Sequence, residues 1–467
     1  MPIRIKTDYP VAIRRRPRNK RPELPRGKPS RRSVLLTLTF VVMSGFTIWL
    51  YLSQYIDGPG VGTLGPDFDY SWRPMNNSQG TLTRKGHRMS LPFCRGIFQN
   101  NPRTMQQATT YMKHRPRFSI SDITYYHMLE DCDSFIKKRE YIMQTLSDEE
   151  KEFPLAYDIV MYKEVEQTER LLRAIYMPQN YYCLHVDKKS PAIVHKVMDR
   201  LTQCFPNVFM ASKLEDVVWG TMTVLEADLN CMKDLLKFKK WRYFINLTGQ
   251  EMPLKSNREL VRILKAYDGA NEIEGYIDNS FKPRYEYAHV SSKATKRKNP
   301  PPPHHIRVTH GAVHVIATRA FVEFAINNQT AKDFQKWLNS TFIPDELYFS
   351  SLNSSPELNV PGAYKGLPTK EASLKPFLLR YKLWQHADKC EGYWQRHVCI
   401  FSIQDLPRMI GQKHFFVNKF ELEYDFLALD CIEELVHNKT LLSSSKDFEY
   451  DVSFYQELAH VKNHVKL

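Results

Sequence analysis

The sequence contains little glycine and none of the short cysteine repeats that mark metal or redox centres. Only 18 of its 467 residues are glycine, which excludes collagen-like repeats and argues against a glycine-rich phosphate-binding loop. No Cys-x-x-Cys occurs among its eight cysteines, so zinc ribbons and thioredoxin chemistry are not expected. Hydrophobic residues make up 42% and charged residues 25% of the chain, which excludes a mostly disordered protein.

Most of the net positive charge lies in one short segment. The formal net charge is +15, but residues 1–32 hold twelve Lys/Arg and two acids, which account for +10 of it. The other 435 residues share the remaining +5. A charge confined to one tail argues against a nucleic-acid-binding surface, so no nucleic-acid partner is expected.

An uncharged segment follows the basic tail directly. No charged residue occurs between Ser33 and Ile56, and the twenty residues Ser33–Leu52 would span roughly 30 Å as a helix, the thickness of a bilayer core. The alternative is a cleaved signal peptide. It fits less well, because the basic region is long and no small-residue cleavage site follows.

The position of the anchor predicts four parts of the chain. Lys and Arg stay on the cytoplasmic side of a membrane, so the C-terminal part is expected to be lumenal. We predict a basic cytoplasmic tail over 1–32, a transmembrane signal anchor over 33–52, a stem over 53–93 and a catalytic domain over 94–467. The stem is rich in Gly, Pro, Asn and Ser and has little periodicity.

Cysteines and glycosylation sequons agree with a lumenal domain. All eight cysteines follow the predicted anchor, and an even number in an oxidising compartment indicates disulfides. Eight cysteines allow 105 pairings, and sequence proximity favours only Cys390–Cys399. The candidate N-glycosylation sites are Asn76, Asn328, Asn339, Asn353 and Asn438. A further sequon at Asn246 lies in an apolar strand pattern and is expected to be buried and unmodified.

Short apolar runs alternate with amphipathic helical patterns from about Phe153 onward. The runs cover residues 155–162, 181–186, 207–210 and 243–247. This alternation predicts an α/β fold with a parallel, doubly wound sheet, which binds ligands at the carboxyl ends of its strands. The proline-rich segment Lys293–Arg307 is predicted to be a surface loop. A tail, anchor, stem and lumenal α/β domain are the layout typical of Golgi glycosyltransferases.

Several acids are candidate chemical groups. Neither Asp67-Phe-Asp69 nor Asp131-Cys-Asp133 follows a strand, so neither is expected to bind a metal. Asp187 ends a predicted strand, where a carboxylate can bind sugar or ribose hydroxyls or merely cap a helix. Asp345 and Glu346 are neighbours, so at most one of them points into a given cleft, and Asp345 could serve as a helix cap.

Two cations stand in defined surroundings. Arg396 lies between Cys390 and Cys399, where a disulfide would hold it rigidly, and Lys419 follows the run Phe415–Asn418. Taken alone, each reads as a solvated surface charge.

Seven segments of the chain share their pattern with one known family. They lie at 171–180, 182–187, 227–234, 244–249, 344–346, 396–401 and 418–420. Together they resemble the core 2 and I-branching β-1,6-N-acetylglucosaminyltransferases, and the resemblance extends from about Cys94 to Cys431. It implies a Rossmann-like nucleotide-sugar fold of the GT-A type and inverting transfer of N-acetylglucosamine from UDP-GlcNAc to a glycan, with no metal or other cofactor.

The resemblance assigns roles to particular residues. Glu346 matches the catalytic base, and Arg396 and Lys419 match the cations that hold the UDP diphosphate. On the acceptor side, Glu274 matches a binding carboxylate and Tyr381 falls in an aromatic acceptor segment. The remaining positions that match donor-binding segments are Val160, Met161, Tyr162, Asp187, Lys188, Lys189 and Trp219.

The resemblance also implies how the cysteines pair, since all eight have counterparts in the family. The implied disulfides are Cys94–Cys431, Cys132–Cys204, Cys183–Cys231 and Cys390–Cys399.

Two departures from the family pattern concern the acceptor. The stretch from Glu274 to Arg284 is shorter than in core 2 enzymes, and the family's Trp-x-Tyr acceptor aromatics appear here as Tyr381-Lys382-Leu383-Trp384.

Three partners are expected: a UDP-sugar, a glycoprotein glycan that contains galactose or GalNAc, and the Golgi membrane. Mucin-type core 2 branching is the favoured reaction. The sequence is also compatible with a homodimer. The alternatives are a related transferase with another donor or acceptor, such as a glucosyl- or xylosyltransferase, and a non-catalytic lumenal glycan-binding protein.

Overall fold

The computed structural model describes residues 93–114, 119–290, 293–369, 371 and 376–466. The predicted tail, anchor and stem lie outside these residues, apart from Phe93, as do Asn76 and Asp67-Phe-Asp69. No helix within the described residues is both long and apolar enough to cross a membrane.

Helices occur along the whole described part of the chain. They are α1 (Cys94–Phe98), α2 (Pro102–His114), α3 (Asp122–Met128), α4 (Cys132–Arg139), α5 (Asp148–Glu152), α6 (Val165–Ile175), α7 (Ala192–Gln203), α8 (Met222–Leu235), α9 (Asn257–Ala266), α10 (Pro283–Glu286), α11 (Arg319–Asn327), α12 (Gln329–Leu338), α13 (Tyr348–Asn353), α14 (Phe426–Ser443), α15 (Ser453–Gln456) and α16 (Ala459–Lys462). Short 3₁₀ turns cover Asn279–Phe281, Pro303–His305, Pro344–Glu346, Pro356–Leu358 and Ile403–Met409.

The strands form one large sheet and three smaller ones. They are β1 (Leu155–Met161), β2 (Tyr181–Val186), β3 (Val208–Met210), β4 (Tyr243–Thr248), β5 (Glu251–Pro253), β6 (Glu272–Ile273), β7 (Tyr287–Val290), β8 (Lys293–Lys298), β9 (Val315–Thr318), β10 (Arg380–Tyr381), β11 (Tyr393–Gln395), β12 (Val398–Ile400) and β13 (Phe416–Asn418).

The large sheet has the order β3-β2-β1-β4-β9-β6. Strands β3, β2, β1 and β4 are parallel, whereas β9 runs antiparallel to both β4 and β6. The four apolar runs seen in the sequence are these four parallel strands, so the predicted α/β fold with a parallel sheet is confirmed. Because β6 is parallel to β4, the chain leaves β1, β2, β4 and β6 at the same edge.

Apolar side chains cover both faces of the large sheet. Alternation along the strands places Tyr157 and Ile245 in one buried cluster and Ala156 and Phe244 in the other. A parallel sheet enclosed on both sides reads as continuous apolar runs. This is why its strands were visible in the sequence.

Four disulfides connect the described elements, and no cysteine is free. The pairing implied by the family resemblance is present in full. Cys94–Cys431 links α1 to α14 across 337 residues, and Cys183–Cys231 links β2 to α8. Such cross-links restrict the unfolded chain and typically contribute about 2–4 kcal/mol each.

Two sequence expectations need correction. Part of Lys293–Arg307 is not a loop, because β8 pairs with β7 as an exposed antiparallel hairpin. Asn353 is fully buried and its Oδ1 accepts a hydrogen bond from Asn271, so the folded chain offers no room there for a glycan. Asn246 is buried, as expected. Asn328 and Asn339 are exposed, and Asn438 is half-buried.

Candidate active site

The carboxyl ends of β1 and β2 bring two predicted donor-binding segments together. The backbone N–H of Asp187 donates to the carbonyl of Met161 at 2.8 Å, which joins the last residue of β1 to the first residue after β2. Val160 is half-buried, Met161 is buried, and Tyr162 is exposed just beyond the strand. The two segments therefore form one continuous rim of the sheet.

Asp187 is held in a turn and does not cap a helix, since α7 begins five residues later. Its Oδ1 accepts the backbone N–H of Lys189 at 2.9 Å, and its Oδ2 lies 3.2 Å from Lys189 Nζ. Lys189 also contacts Asp216 at 2.7 Å. Lys188 is exposed and donates its backbone N–H to the carbonyl of Glu215 at 2.9 Å.

Trp219 stands in the loop between β3 and α8 and is 63% exposed. Its ring meets Phe342 edge-on at 5.5 Å. The backbone N–H of Ile343 donates to the carbonyl of Gly220 at 3.0 Å. These contacts fix the Pro344–Glu346 turn against the donor-side loop.

The β11–β12 hairpin presents Arg396 at its tip, and the Cys390–Cys399 disulfide closes the segment around it. Arg396 adopts a φ of 50° and is exposed. Its guanidinium has no hydrogen-bond or ion-pair partner in the described part of the chain. Such a guanidinium is available to an anionic ligand.

Lys419 follows β13, and the neighbouring N–H of Phe420 donates to the carbonyl of Gln250 at 2.9 Å, next to the end of β4. Its Nζ donates to Gln395 Oε1. Burial lowers the pKa of Lys419; the Glu421 carboxylate opposes this shift, and the positive charges of Arg396 and Lys163 add to it. The two predicted diphosphate cations therefore lie within electrostatic reach of each other.

Glu346 ends the short Pro344–Glu346 turn and keeps its side chain partly accessible. Its Oε2 accepts from Arg284 Nη1 at 2.6 Å and from His310 Nε2 at 2.8 Å. Within the described residues Oε1 makes no hydrogen bond or ion pair. Burial alone would raise the pKa of Glu346, but the hydrogen bonds and charges of His310 and Arg284 outweigh it and lower that pKa. The carboxylate is ionised at neutral pH and retains one free oxygen.

Asp345 differs sharply from its neighbour. The helix that follows, α13, has Leu347 at its N-cap position and no side-chain cap, so the helix-cap alternative for Asp345 is wrong. Its side chain is buried, and burial together with the negative charge of Glu346 raises its pKa to about 8. Only one of the two adjacent acids is therefore charged and accessible.

Glu274 follows β6 at the same edge of the sheet. Burial lowers the pKa of Lys382 to about 8, against the opposing charges of Glu251, Glu274 and Glu346. Glu274 and Glu346 thus share one electrostatic environment with Lys382. Tyr381 is half-buried, with its ring stacked on Phe401 at 6.0 Å and edge-on to His414 at 5.3 Å.

A buried polar layer underlies this edge. Arg380 donates to Glu251 and to the carbonyl of Asn246, and Glu251 also accepts from Asn418 at 3.1 Å. These bonds tie β10 and β13 to the ends of β4 and β5. The layer holds the Lys419 segment in place relative to the large sheet.

Sequence reasoning did not identify Arg284, His310 or Lys382 as site residues. Arg284 and His310 lie 62 and 36 residues from Glu346 in the chain, Arg284 in the short helix α10 and His310 before strand β9. No local pattern indicates such a contact. Asp131, from the second Asp-x-Asp, caps α4 by accepting from the N–H of Ser134.

The fold and site combine a parallel α/β sheet, the charged and partly accessible carboxylate of Glu346, and the two neighbouring cations Arg396 and Lys419. A family model described as Core-2/I-Branching enzyme matches residues 155–410. The chain belongs to the Core-2/I-branching enzyme family. The predicted family is therefore confirmed, and with it the prediction of a glycosyltransferase.

Three curated relatives show how closely the family is related to this chain. A human β-1,3-galactosyl-O-glycosyl-glycoprotein β-1,6-N-acetylglucosaminyltransferase is 36% identical over 369 residues, covering 74% of this chain and 85% of that protein. The Danio rerio protein of the same name numbered 4 is 37% identical over 368 residues, covering 74% and 84%. The human protein numbered 3 is 34% identical over 366 residues, covering 74% and 83%.

Proposed function

We propose that this protein transfers N-acetylglucosamine from UDP-GlcNAc in β-1,6 linkage to a galactose- or GalNAc-containing O-glycan, with inversion at the anomeric carbon. The names of the three relatives specify that linkage and a β-1,3-galactosyl O-glycan acceptor, which supports core 2 branching. The observation that carries the proposal is the ionised Glu346 carboxylate with its free Oε1, set against the donor-side loop.

The carboxylate and the two cations have separate roles in this mechanism. Glu346 accepts the proton of the acceptor hydroxyl as its oxygen attacks C1 of the sugar. Arg396 and Lys419 stabilise the negative charge that develops on the departing UDP diphosphate. Fixed cations can do this without a metal, so we propose a metal-independent reaction. Glu274 binds the acceptor, and the rim formed by residues 160–162, 187–189 and 219 binds the donor.

We propose further that the catalytic domain works in the Golgi lumen, held by the Ser33–Leu52 anchor and the stem. The four disulfides of the described residues support an oxidising compartment. We propose a fold of the GT-A type for the catalytic domain. The parallel sheet supports this, because such sheets bind ligands at the carboxyl ends of their strands.

The deciding experiment offers residues 57–467 a panel of radiolabelled UDP-sugars, with core 1, core 3 and poly-N-acetyllactosamine glycans as acceptors. We expect N-acetylglucosamine on the core 1 glycan, with a β-1,6 linkage by product analysis. Transfer of glucose or xylose would replace the proposed donor, and a different acceptor would replace core 2 branching. Glycan binding without transfer of any sugar would indicate a non-catalytic protein.

A further inference from the structure

His310 is built rigidly into the wall beside Glu346. Its backbone and that of Tyr276 exchange two hydrogen bonds of 2.9 Å, which form an isolated β-bridge. Its ring stacks face to face on Phe281, with centroids 3.8 Å apart and planes 10° apart. Arg284 lies over the same Phe281 ring at 4.5 Å. One aromatic ring therefore supports both groups that hold the Glu346 carboxylate.

The contacts of His310 determine which of its ring nitrogens serves Glu346. Nε2 lies 2.8 Å from Glu346 Oε2, and an ionised carboxylate can only accept, so Nε2 carries a hydrogen. Nδ1 is buried and has no partner in the described residues. His310 therefore directs its Nε2–H at Glu346.

We propose that His310 is a positioning residue for the proton-accepting carboxylate. Its Nε2–H and Arg284 fix Oε2, so that Oε1 is the oxygen presented to the acceptor hydroxyl. The inference rests on the proposed role of Glu346 as the base. In the transfer step the acceptor O–H bond breaks and its proton goes to Oε1. The acceptor oxygen bonds to C1, and the C1–O bond to UDP breaks with its electron pair leaving on the diphosphate.

The surrounding charges are consistent with this role. Arg284, Glu346 and Tyr276 face the His310 ring directly, and Asp345 beside Glu346 is held neutral by its raised pKa. Glu274 and Lys382 contribute charges of opposite sign nearby. Glu346 therefore stays ionised while it accepts the hydrogen bond from His310.

The test compares His310→Phe, which keeps a stacking ring without a donor, with His310→Gln, which keeps an N–H donor. Loss of a hydrogen bond to a charged group corresponds to roughly 10- to 100-fold in rate, so we expect a kcat loss of that size for His310→Phe and recovery of most of it in His310→Gln. The KM for UDP-GlcNAc should change little. His304→Phe is the matched control, because His304 pairs with Asp333 on the surface.

The pH profile separates positioning from simple packing. Glu346 must be ionised to act, so the rate falls as the pH drops through its pKa. Without the His310 hydrogen bond that pKa rises, and the acid limb of kcat should move to higher pH in His310→Phe but not in His310→Gln. An unmoved limb, or equal losses in both variants, would overturn the proposal. His310→Leu replaces His310→Phe if the larger ring prevents folding.

A measurement without turnover distinguishes this proposal from the proposed function. Four proteins are compared: the parent chain, Glu346→Gln, His310→Phe and the double variant. Their unfolding temperatures are measured from about pH 8 to about pH 4. The stabilisation by Glu346 above its pKa should be smaller without the His310 donor. If Glu346→Gln changes the unfolding temperature equally with and without the His310→Phe substitution, the inference is wrong, even if the enzyme is active. If the effect of Glu346→Gln differs between the two backgrounds but the protein transfers no sugar, His310 and Glu346 are coupled and the proposed transfer reaction is wrong.

Discussion

Arg284 Nη1 lies 2.6 Å from Glu346 Oε2 and joins two segments that are 62 residues apart in the chain. The same arginine lies over Phe281, and its carbonyl accepts the N–H of Phe342, so it is fixed at both ends. An ion pair of this kind stabilises the charged form of the carboxylate. The proposed base is consequently ready to accept a proton before the acceptor arrives.

Glu346→Gln should abolish most of the transfer activity. Glutamine keeps the size and reach of the side chain but cannot accept the acceptor's proton, and loss of a general base typically costs about 10²–10⁴-fold in rate. UDP affinity should stay close to that of the parent protein, because the diphosphate is bound elsewhere. Single-turnover transfer together with calorimetric UDP titration measures both quantities.

Asp345→Asn is the matched control for that substitution. Asp345 is buried and its pKa of about 8 keeps it protonated at neutral pH, so the amide replaces a neutral group of the same shape. We expect transfer to change by less than about threefold, well below the loss of a general base. A larger loss in Asp345→Asn than in Glu346→Gln would show that the wrong carboxylate has been assigned.

Arg396→Ala and Lys419→Ala should each weaken UDP binding and also slow transfer. Hydrogen bonds to charged groups contribute about 1.5–3 kcal/mol, which corresponds to roughly 10- to 100-fold in Kd. Lys389→Ala is the control, since Lys389 is exposed immediately before the disulfide loop that carries Arg396 and pairs with Glu391 at 2.7 Å. Unchanged UDP affinity in both test variants would exclude them as the diphosphate site.

The reaction should proceed in the presence of EDTA. The motive is the pair Arg396 and Lys419 at the donor edge, whose positive charges interact with each other. Initial rates would be compared with EDTA, with manganese and after extensive dialysis. A rate that collapses on chelation and returns with manganese contradicts the metal-independent mechanism.

Asp345 should make stability depend on pH in a defined direction. Its pKa is raised by folding, so the folded state binds more protons than the unfolded chain between about pH 4 and pH 8. Its contribution to the free energy of unfolding therefore decreases as the pH rises through this range, by up to about 1.4 kcal/mol per pH unit. Asp345→Asn lacks this dependence.

The measurement is denaturant unfolding of both proteins at about pH 6 and about pH 8. Relative to the parent, Asp345→Asn should gain about 1–3 kcal/mol between the two pH values. A parallel pH dependence for the two proteins would mean that Asp345 is ionised in the folded state.

Local patterns predicted the central sheet closely. The run at 181–186 is β2 with the same bounds, and the runs at 155–162 and 243–247 differ from β1 and β4 by one residue each. Strands buried on both faces require apolar side chains at nearly every position, and that requirement is visible in the sequence. The hairpin of β7 and β8 was missed because β7 is only four residues long and β8 is exposed and basic.

Through the family resemblance, the sequence by itself predicted the class of the protein and the cysteine pairs, both of which are confirmed, and it singled out Glu346 as the proposed base. Only the tertiary structure decided which of the two adjacent acids is charged and which oxygen of Glu346 is free. Those properties depend on Arg284 and His310, which approach Glu346 from distant segments, and on the burial of Asp345. Proton affinity is set by solvent exclusion and by neighbouring charges in space, and neither can be read from adjacency along the chain.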